Sequence, residues 1–327
     1  MDNPGFLTVV AKLIVNVHDM NNEGSIGQTT EIRMIRMVGE NGKELPEAPA
    51  VSGRMMKHWH LAYMLKEELN QKKPTLCNKC KDWKPDRQSD AKDESGGIKN
   101  CIICDVHGFL STAKVQSPPR RSSCISFSWL LPIIGGYSSV KQVIHSRVEP
   151  SEISQEEVTS PAETEEDLSG DQAAEETDER KTAQMIFYKN YASSVYGFVC
   201  SIDLDRIGKS LSGTIDFKDN GAEVKRRRQM AVKALLPMVM GAFGASQSHA
   251  LPHTKCLGVL AALSDNTTPL PNLVSPIYSN GFSESINMLK AFNNKVKYWG
   301  YGEPVVEEEQ KKDNLRALFE SIITELK

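Results

Sequence analysis

The sequence predicts an α+β protein, and three observations carry that prediction. Two runs rich in Val, Leu and Ile, Phe6 to Val17 (FLTVVAKLIVNV) and Val195 to Leu204 (VYGFVCSIDL), have the composition of buried strands. Two other stretches, Ala48 to Leu69 and the C-terminal segment from Leu315, place apolar residues three and four apart, as one face of a helix requires. The strand-like and helix-like stretches follow one another with no internal repeat. At 327 residues the chain fits one large domain with insertions, or two domains.

In chain order, the opening strand runs into a polar loop, His18 to Thr30, followed by Glu31 to Val38, whose pattern suits a strand or a short helix. Asn41-Gly42 marks a turn before the central helix. In that helix Met55, Trp59, Ala62, Leu65 and Leu69 form the expected core stripe. Ser52 is the expected N-cap, Gly53 leaves room for close backbone approach, and Arg54 and Lys57 stand beside the unpaired amides of the first turn, an arrangement suited to phosphate. An ordinary amphipathic helix with solvated cations is the plainer alternative.

Cys77-x2-Cys80 and Cys101-x2-Cys104 form the most specific local signal. Two thiolate pairs on short knuckles supply four soft ligands for a tetrahedral zinc, and four thiolates fill its coordination sphere, so the site reads as structural. Seven cysteines, an odd number, fit reduced thiols and metal binding better than a disulfide framework. Pro118-Pro119 and Arg120-Arg121 then mark a loop, and Ser123 to Leu131 a strand.

Two strand-like arms, Ser139 to Val148 and Ala183 to Ser193, flank an acidic segment, Glu149 to Arg180, whose composition predicts disorder. That segment holds 13 acidic residues and one basic residue, a charge of −12 that leaves +9 on the remainder of a chain of net −3. The balance is compatible with a polyanionic partner. The arms carry Lys141, His145, Arg147, Tyr188 and Lys189, cations and an aromatic that suit a single nucleic-acid strand, although an edge hairpin guarded by charges reads the same way.

Further on, Lys225 to Arg228 leads into an expected helix, Gln229 to Met240, kinked at Pro237. Gly241 to His249 (GAFGASQSH) offers backbone amides without side-chain obstruction but matches no P-loop spacing. Pro252 argues against a metal pair at His249 and His253. A strand at Cys256 to Ala262, a helix at Glu284 to Phe292 and a final helix with Leu315, Leu318, Phe319, Ile322, Ile323 and Leu326 on one face complete the reading. No run of 18 apolar residues and no charged-then-apolar leader is present, so a cytoplasmic protein without a membrane partner is expected.

Taken together, the opening strand and its Asn/Gly loop, the PAVSGRMMKHWH helix start, YGFVCSIDLDRIG and GAFGAS resemble, in that order, the CRISPR-associated DevR autoregulator family, the backbone subunit of archaeal (subtype I-A-like) Cascade in the repeat-associated mysterious protein superfamily. The resemblance covers most of the chain outside the cysteine insert and the acidic tip. It implies a ferredoxin-like, RNA-recognition-type palm (residues 1–76, 105–138 and 194–327) with inserted fingers and a β-hairpin thumb (139–193); the four-cysteine zinc-binding insert (77–104), read from its spacing, departs from many relatives. It also implies polymerisation along a guide crRNA that pairs with a target DNA strand, alongside large, small and capping subunits and a helicase-nuclease, with no catalysis by this subunit. Carried over by position, Asn21 of the first loop, Ser52, Gly53, Arg54, Lys57 and His58 of the helix start, and Gly241, Gly244 and Ser246 of the glycine loop would line one groove and contact RNA. So would His145, Arg147, Phe187, Tyr188 and Lys189 of the thumb. Such contacts hold phosphate, sugar and base faces while leaving base edges free to pair.

Two other readings stand beside this one. A ribonuclease would use Asp19 and His18 of the first loop, with His145 as a general base, but the sequence shows no acid/base or two-metal cluster. A zinc-ribbon regulator would rest on the cysteine quartet alone and lacks an evident dimeric recognition helix.

Overall fold

The structure is a computed structural model and describes residues 4–20, 22–26, 29–84, 91–111, 118–148, 184–219, 221–244, 251–270, 272–292 and 295–326. Asn21, Ser246, His249 and the acidic segment 149–180 lie outside the described residues. The chain is a mixed α+β fold around one sheet in the order β15-β14-β1-β11-β3-β2.

The sheet is organised on β1 (Pro4–His18) and β11 (Gln184–Asp203), which pair antiparallel from Phe6↔Asp203 to His18↔Ala192. On its other edge β1 pairs antiparallel with β14 (His253–Asp265), which in turn pairs with β15 (Val296–Gly302). Beyond β11 lie β3 (Thr29–Ile32), which pairs with it in parallel, and β2 (Asn22–Ile26). The pleat of β1 explains its near-continuous apolar sequence: Leu7, Val9, Ala11 and Leu13 enter the larger core cluster, and Val10 enters a smaller one on the opposite face. Helices cover both faces.

The short pieces fall between these strands. β4 (Met34–Ile35) pairs with β5 (Ala48–Pro49), and α1 (Gly53–Leu69) follows. The cysteine region forms α2 (Asn78–Lys81), α3 (Glu94–Asn100) and α4 (Ile102–His107). Next, β6 (Phe109–Leu110) pairs with β7 (Arg120–Arg121), and β8 (Ile125–Phe127) and β9 (Leu131–Pro132) both pair with β11. β10 (Ser138–Val148) is followed, after β11, by a small pair, β12 (Lys209–Ser210) and β13 (Gly213–Thr214). The helices α5 (Ala222–Lys233), α6 (Leu235–Val239), α7 (Gly281–Lys290) and α8 (Leu315–Glu325) complete the chain.

Several expectations need correction. The central helix begins at Gly53, as the expected Ser52 cap requires, but its buried stripe differs from the expected one. Its fully buried positions are Met56, His60, Met64, Leu65 and Glu68, whereas Met55 and Trp59 are half-buried and Leu69 is 45% exposed. The buried stripe thus includes two polar residues that the apolar pattern skipped, each satisfied by tertiary partners. His60 contacts the Ala231 carbonyl, and Glu68 accepts from the Thr75 amide at 2.6 Å. The second arm and the second buried strand are one uninterrupted 20-residue strand, β11, because its outer half keeps its ladder with β10. Glu31 to Val38 contributes to two strands, and Ser123 to Leu131 divides into β8 and the start of β9.

The basic run Lys225 to Arg228 lies inside α5, not ahead of it, and the break at Ala234 precedes Pro237. Nor is that run simply solvated. Arg227 has no exposed surface and donates to Asp105 at 3.0 Å, to Glu223 at 2.7 Å and to the Ile98 carbonyl at 2.7 Å. Arg121, expected in a loop, is also buried and donates to the other Asp105 oxygen at 2.6 Å. Two arginines flank one buried carboxylate, so the charges are compensated where they would otherwise be prohibitive. This network ties α4, immediately after Cys104, to α5 and β7.

Candidate functional site

Ser52 caps α1 as its sequence position suggests: the Ser52 hydroxyl accepts from the Met55 amide at 3.3 Å with extended backbone at the cap. Gly53 then passes so close to β8 that a Cβ there would stand 2.4 Å from the Phe127 carbonyl oxygen. That contact fixes where the helix start sits. Arg54 and His58 are exposed and Lys57 is half-buried.

The four cysteines converge. Their sulfurs all lie within 4.8 Å of one another, with Cys80 to Cys104 at 3.6 Å and Cys77 to Cys104 at 3.9 Å. Thiolates bound at about 2.3 Å around a tetrahedral centre are separated by roughly 3.8 Å, so the geometry suits a metal ion. Four thiolates this close repel one another, so they can all ionise together only with a cation among them. Cys80, Cys101 and Cys104 belong to the same core cluster as β1 and α1.

Behind α1, His60 is wholly buried. Its Nε2 faces the Ala231 carbonyl at 2.8 Å and its Nδ1 lies 3.0 Å from His107 Nε2. Burial pushes its pKa down to about 4, so the ring is neutral, with Nε2 donating to the carbonyl and Nδ1 accepting from His107.

The glycine turn and the first loop meet. His18 is buried, with Nε2 2.8 Å from the Phe243 carbonyl, and its Nδ1 accepts from the Met20 amide at 2.7 Å. Burial lowers its pKa, which keeps the ring neutral despite the carboxylate of Asp19 at 3.3 Å. Gly244 adopts φ +114°, and a Cβ there would approach His18 Cε1 to 2.5 Å. One ring nitrogen thus holds the glycine turn and the other holds the first loop. Tyr63 of α1 donates to the Ala242 carbonyl at 2.6 Å on the same side.

In the hairpin of β10 and β11, the His145 ring stacks on Phe187 at 5.3 Å and lies 3.2 Å from the Tyr191 hydroxyl. Register and alternation put Phe187, Lys189 and His145 on one face and Tyr188 with Ile144 on the other. Arg147 is paired with Met185. Ile144 is 65% exposed. The hairpin root reaches the first loop where His18 pairs with Ala192 and the Val17 amide donates to Ser193 Oγ at 2.9 Å.

The predicted residues that are described fall in two places and do not line one groove. One is a closed junction at the hairpin root, where Gly241, Gly244, His18 and Asp19 are all buried, so the expected contact of the two glycines with RNA is not open in this structure. The other is a cleft of about 300 Å³ on which Arg54, Lys57 and His58 open, together with Trp83 and Lys84 from the cysteine region. Arg54, Lys57, His58 and Leu61 form one stripe of α1, and Tyr63, which reaches the glycine turn, sits about half a turn around the helix from it. Trp83 and Lys84 carried no motif signal beyond their place just after Cys80.

Comparison with known proteins places the chain. Residues 9–286 match the family model described as "CRISPR-associated negative auto-regulator DevR/Csa2". A Methanocaldococcus jannaschii protein named CRISPR-associated protein Cas7/Cst2/DevR is 29% identical over 321 residues, covering 90% of this chain and 93% of the relative. A Saccharolobus solfataricus protein named CRISPR-associated aCascade subunit Cas7/Csa2 2 is 23% identical, covering 85% and 84%. Among solved structures, a chain of a "CRISPR RNA-guided surveillance complex" shares the fold with a TM-score of 0.52 at 10% identity, covering 98% of this chain and 99% of that one. The chain belongs to the CRISPR-associated DevR/Csa2 family.

Proposed function

We propose that this chain is the guide-RNA-binding backbone subunit of a Cascade-type CRISPR surveillance complex, in which copies of itself coat the crRNA beside the other Cascade subunits and present it to a target DNA strand. The single observation that carries this reading is the family match over residues 9–286, which spans the capped helix start, the hairpin and the glycine turn. In this reading β1, β11, β14 and α1 form a ferredoxin-like palm and the β10–β11 hairpin is the thumb. The exposed apolar Ile144, with His145 stacked on Phe187, suits insertion between nucleotides, and Arg54 and Lys57 suit phosphate.

The subunit itself is non-catalytic in this account. Neutral His18, with both nitrogens engaged, is poorly placed to act as an acid or base, and His145 is occupied by Phe187 and Tyr191. The cysteine quartet holds zinc, which acts structurally: four sulfur ligands leave no position open for a substrate. Elemental analysis should return about one zinc per chain.

The test is to identify the nucleic acid that copurifies with the protein after mild lysis. RNA of uniform, guide-like length supports the proposal. A defined duplex DNA, or RNA cleaved in a magnesium-dependent manner that Asp19→Ala abolishes, would replace it with a regulator or a nuclease.

A further inference from the structure

The cysteine region has no assigned role beyond stability, yet it completes one wall of the cleft on which the helix start opens. Trp83 stands half exposed, at 50%, and follows α2 in a left-handed turn with φ +56°. Its amide donates to the Cys80 carbonyl at 3.2 Å, and the Lys84 amide donates to the Lys79 carbonyl at 2.8 Å. A non-glycine residue held in this conformation is set by its surroundings, here by the knuckle that ends at a metal-ligating cysteine. The turn aims the indole across the cleft toward α1, where the His58 ring lies 6.1 Å from it in a tilted arrangement.

The opposite wall supplies cations. Arg54 and Lys57 project from α1, and Lys84 adds a third charge on the indole's own side. Lys84 pairs with Asp82 at 3.4 Å, but both side chains are more than half exposed, and a solvated pair of this kind is readily exchanged for another anion. A cleft of about 300 Å³ is at the small end of ligand pockets, which run to about 1,000 Å³, so it has room for one base rather than several. An aromatic face beside two or three cations is the combination that holds one nucleotide of a single strand by stacking and by its phosphate.

The geometry points to a nucleotide site at this cleft, in which Trp83 stacks on one base of single-stranded RNA while Arg54, Lys57 and Lys84 bind the flanking phosphates; the cysteine knuckle is thereby part of the strand-binding surface. This rests on the proposed guide-binding role and adds to it a second contact, about half a turn around α1 from Tyr63 and the glycine turn. Stacking on a flat ring tolerates every base, which suits a guide holder.

The test compares full-length wild type, Trp83→Leu, and Arg54→Ala plus Lys57→Ala by fluorescence anisotropy on labelled single-stranded RNA, on the same strand made abasic, and on single-stranded DNA of the same sequence. Trp83→Leu should weaken binding of normal RNA about tenfold and leave binding of the abasic strand unchanged. If Trp83→Leu binds RNA like wild type while the double variant is weakened, the stacking site is wrong and the guide-binding reading stands. If neither variant alters binding, both fail. A Trp83→Leu loss larger on DNA than on RNA would overturn the RNA assignment. Because Trp83→Leu can disturb the knuckle, wild-type protein is also photocrosslinked to 5-bromouridine RNA and the adducts mapped by mass spectrometry. An adduct at Trp83 or Lys84 is expected, and adducts confined to other regions would overturn the inference.

Discussion

Gly53→Ala isolates the contact that sets the helix start. A Cβ at Gly53 would lie 2.4 Å from the Phe127 carbonyl oxygen and 3.1 Å from that of Ser128. Ordinary contact needs about 3.4 Å, so roughly 1 Å must come from moving backbone against backbone. Neither side yields easily. β8 is held on β11 at Phe127↔Cys200, and the chain before α1 is held by paired hydrogen bonds between Val51 and Leu130 at 3.1 and 2.9 Å. Overpacking of this kind costs about 1–3 kcal/mol. Against it stands the gain from replacing glycine in a helix, at most about 1 kcal/mol and less in the first turn. The expected net loss is about 1–2 kcal/mol, or a fall in Tm of about 2–3 °C for a chain of this size. Urea unfolding followed by far-UV circular dichroism measures it. A variant more stable than wild type, as Gly→Ala gives in an open helix, would refute the reasoning.

Three other outcomes follow from the buried polar groups and the sulfurs. Asp105→Ala leaves Arg121 and Arg227 facing each other without their shared carboxylate, so a loss of about 3–5 kcal/mol in urea is expected; an unchanged midpoint would show that the network is dispensable. His60 stays neutral in the fold down to about pH 4, whereas the unfolded chain takes up the proton near pH 6.5. Its contribution is therefore complete above pH 6.5 and falls by up to about 3 kcal/mol as pH drops toward 4. The acid-side loss should be shallower in His60→Gln, and an equal slope would contradict the assignment. Stripping metal with a chelator should lower Tm and release α4 together with its tether to α5, because Cys104 immediately precedes Asp105; an unaltered melt would mean the sulfurs are structurally idle.

The parts of this protein visible in its sequence are those set locally. Ser52 as a cap, Gly53 as a close approach and the cysteine spacing each follow from a few neighbouring residues, and the structure places them accordingly. The parts hidden from it depend on distant partners. His60 and Glu68 read as polar interruptions of a stripe because Ala231, Thr75 and Arg226, which satisfy them, come from elsewhere in the chain. Lys225 to Arg228 reads as a cationic lead-in to a helix, yet Arg227 is enclosed by Asp105, Glu223 and Phe217. The strand Val296–Gly302 was not anticipated: two of its seven residues are glycines, which weaken the strand signal, and its place is fixed by pairing with β14. Trp83 shows the same limit for the site, since nothing local says that its ring faces His58.

The claim at the centre of the account is that the chain holds a ribose-phosphate strand without reading its bases. The most direct measurement is the affinity of the full-length protein for several unrelated single-stranded RNAs across a range of salt. The account predicts similar affinities and one common salt slope, reduced by about 1.4 in Arg54→Ala plus Lys57→Ala, since each lost phosphate contact on a single strand removes about 0.7. Affinities that separate by sequence, or a slope that the double variant leaves unchanged, would contradict it.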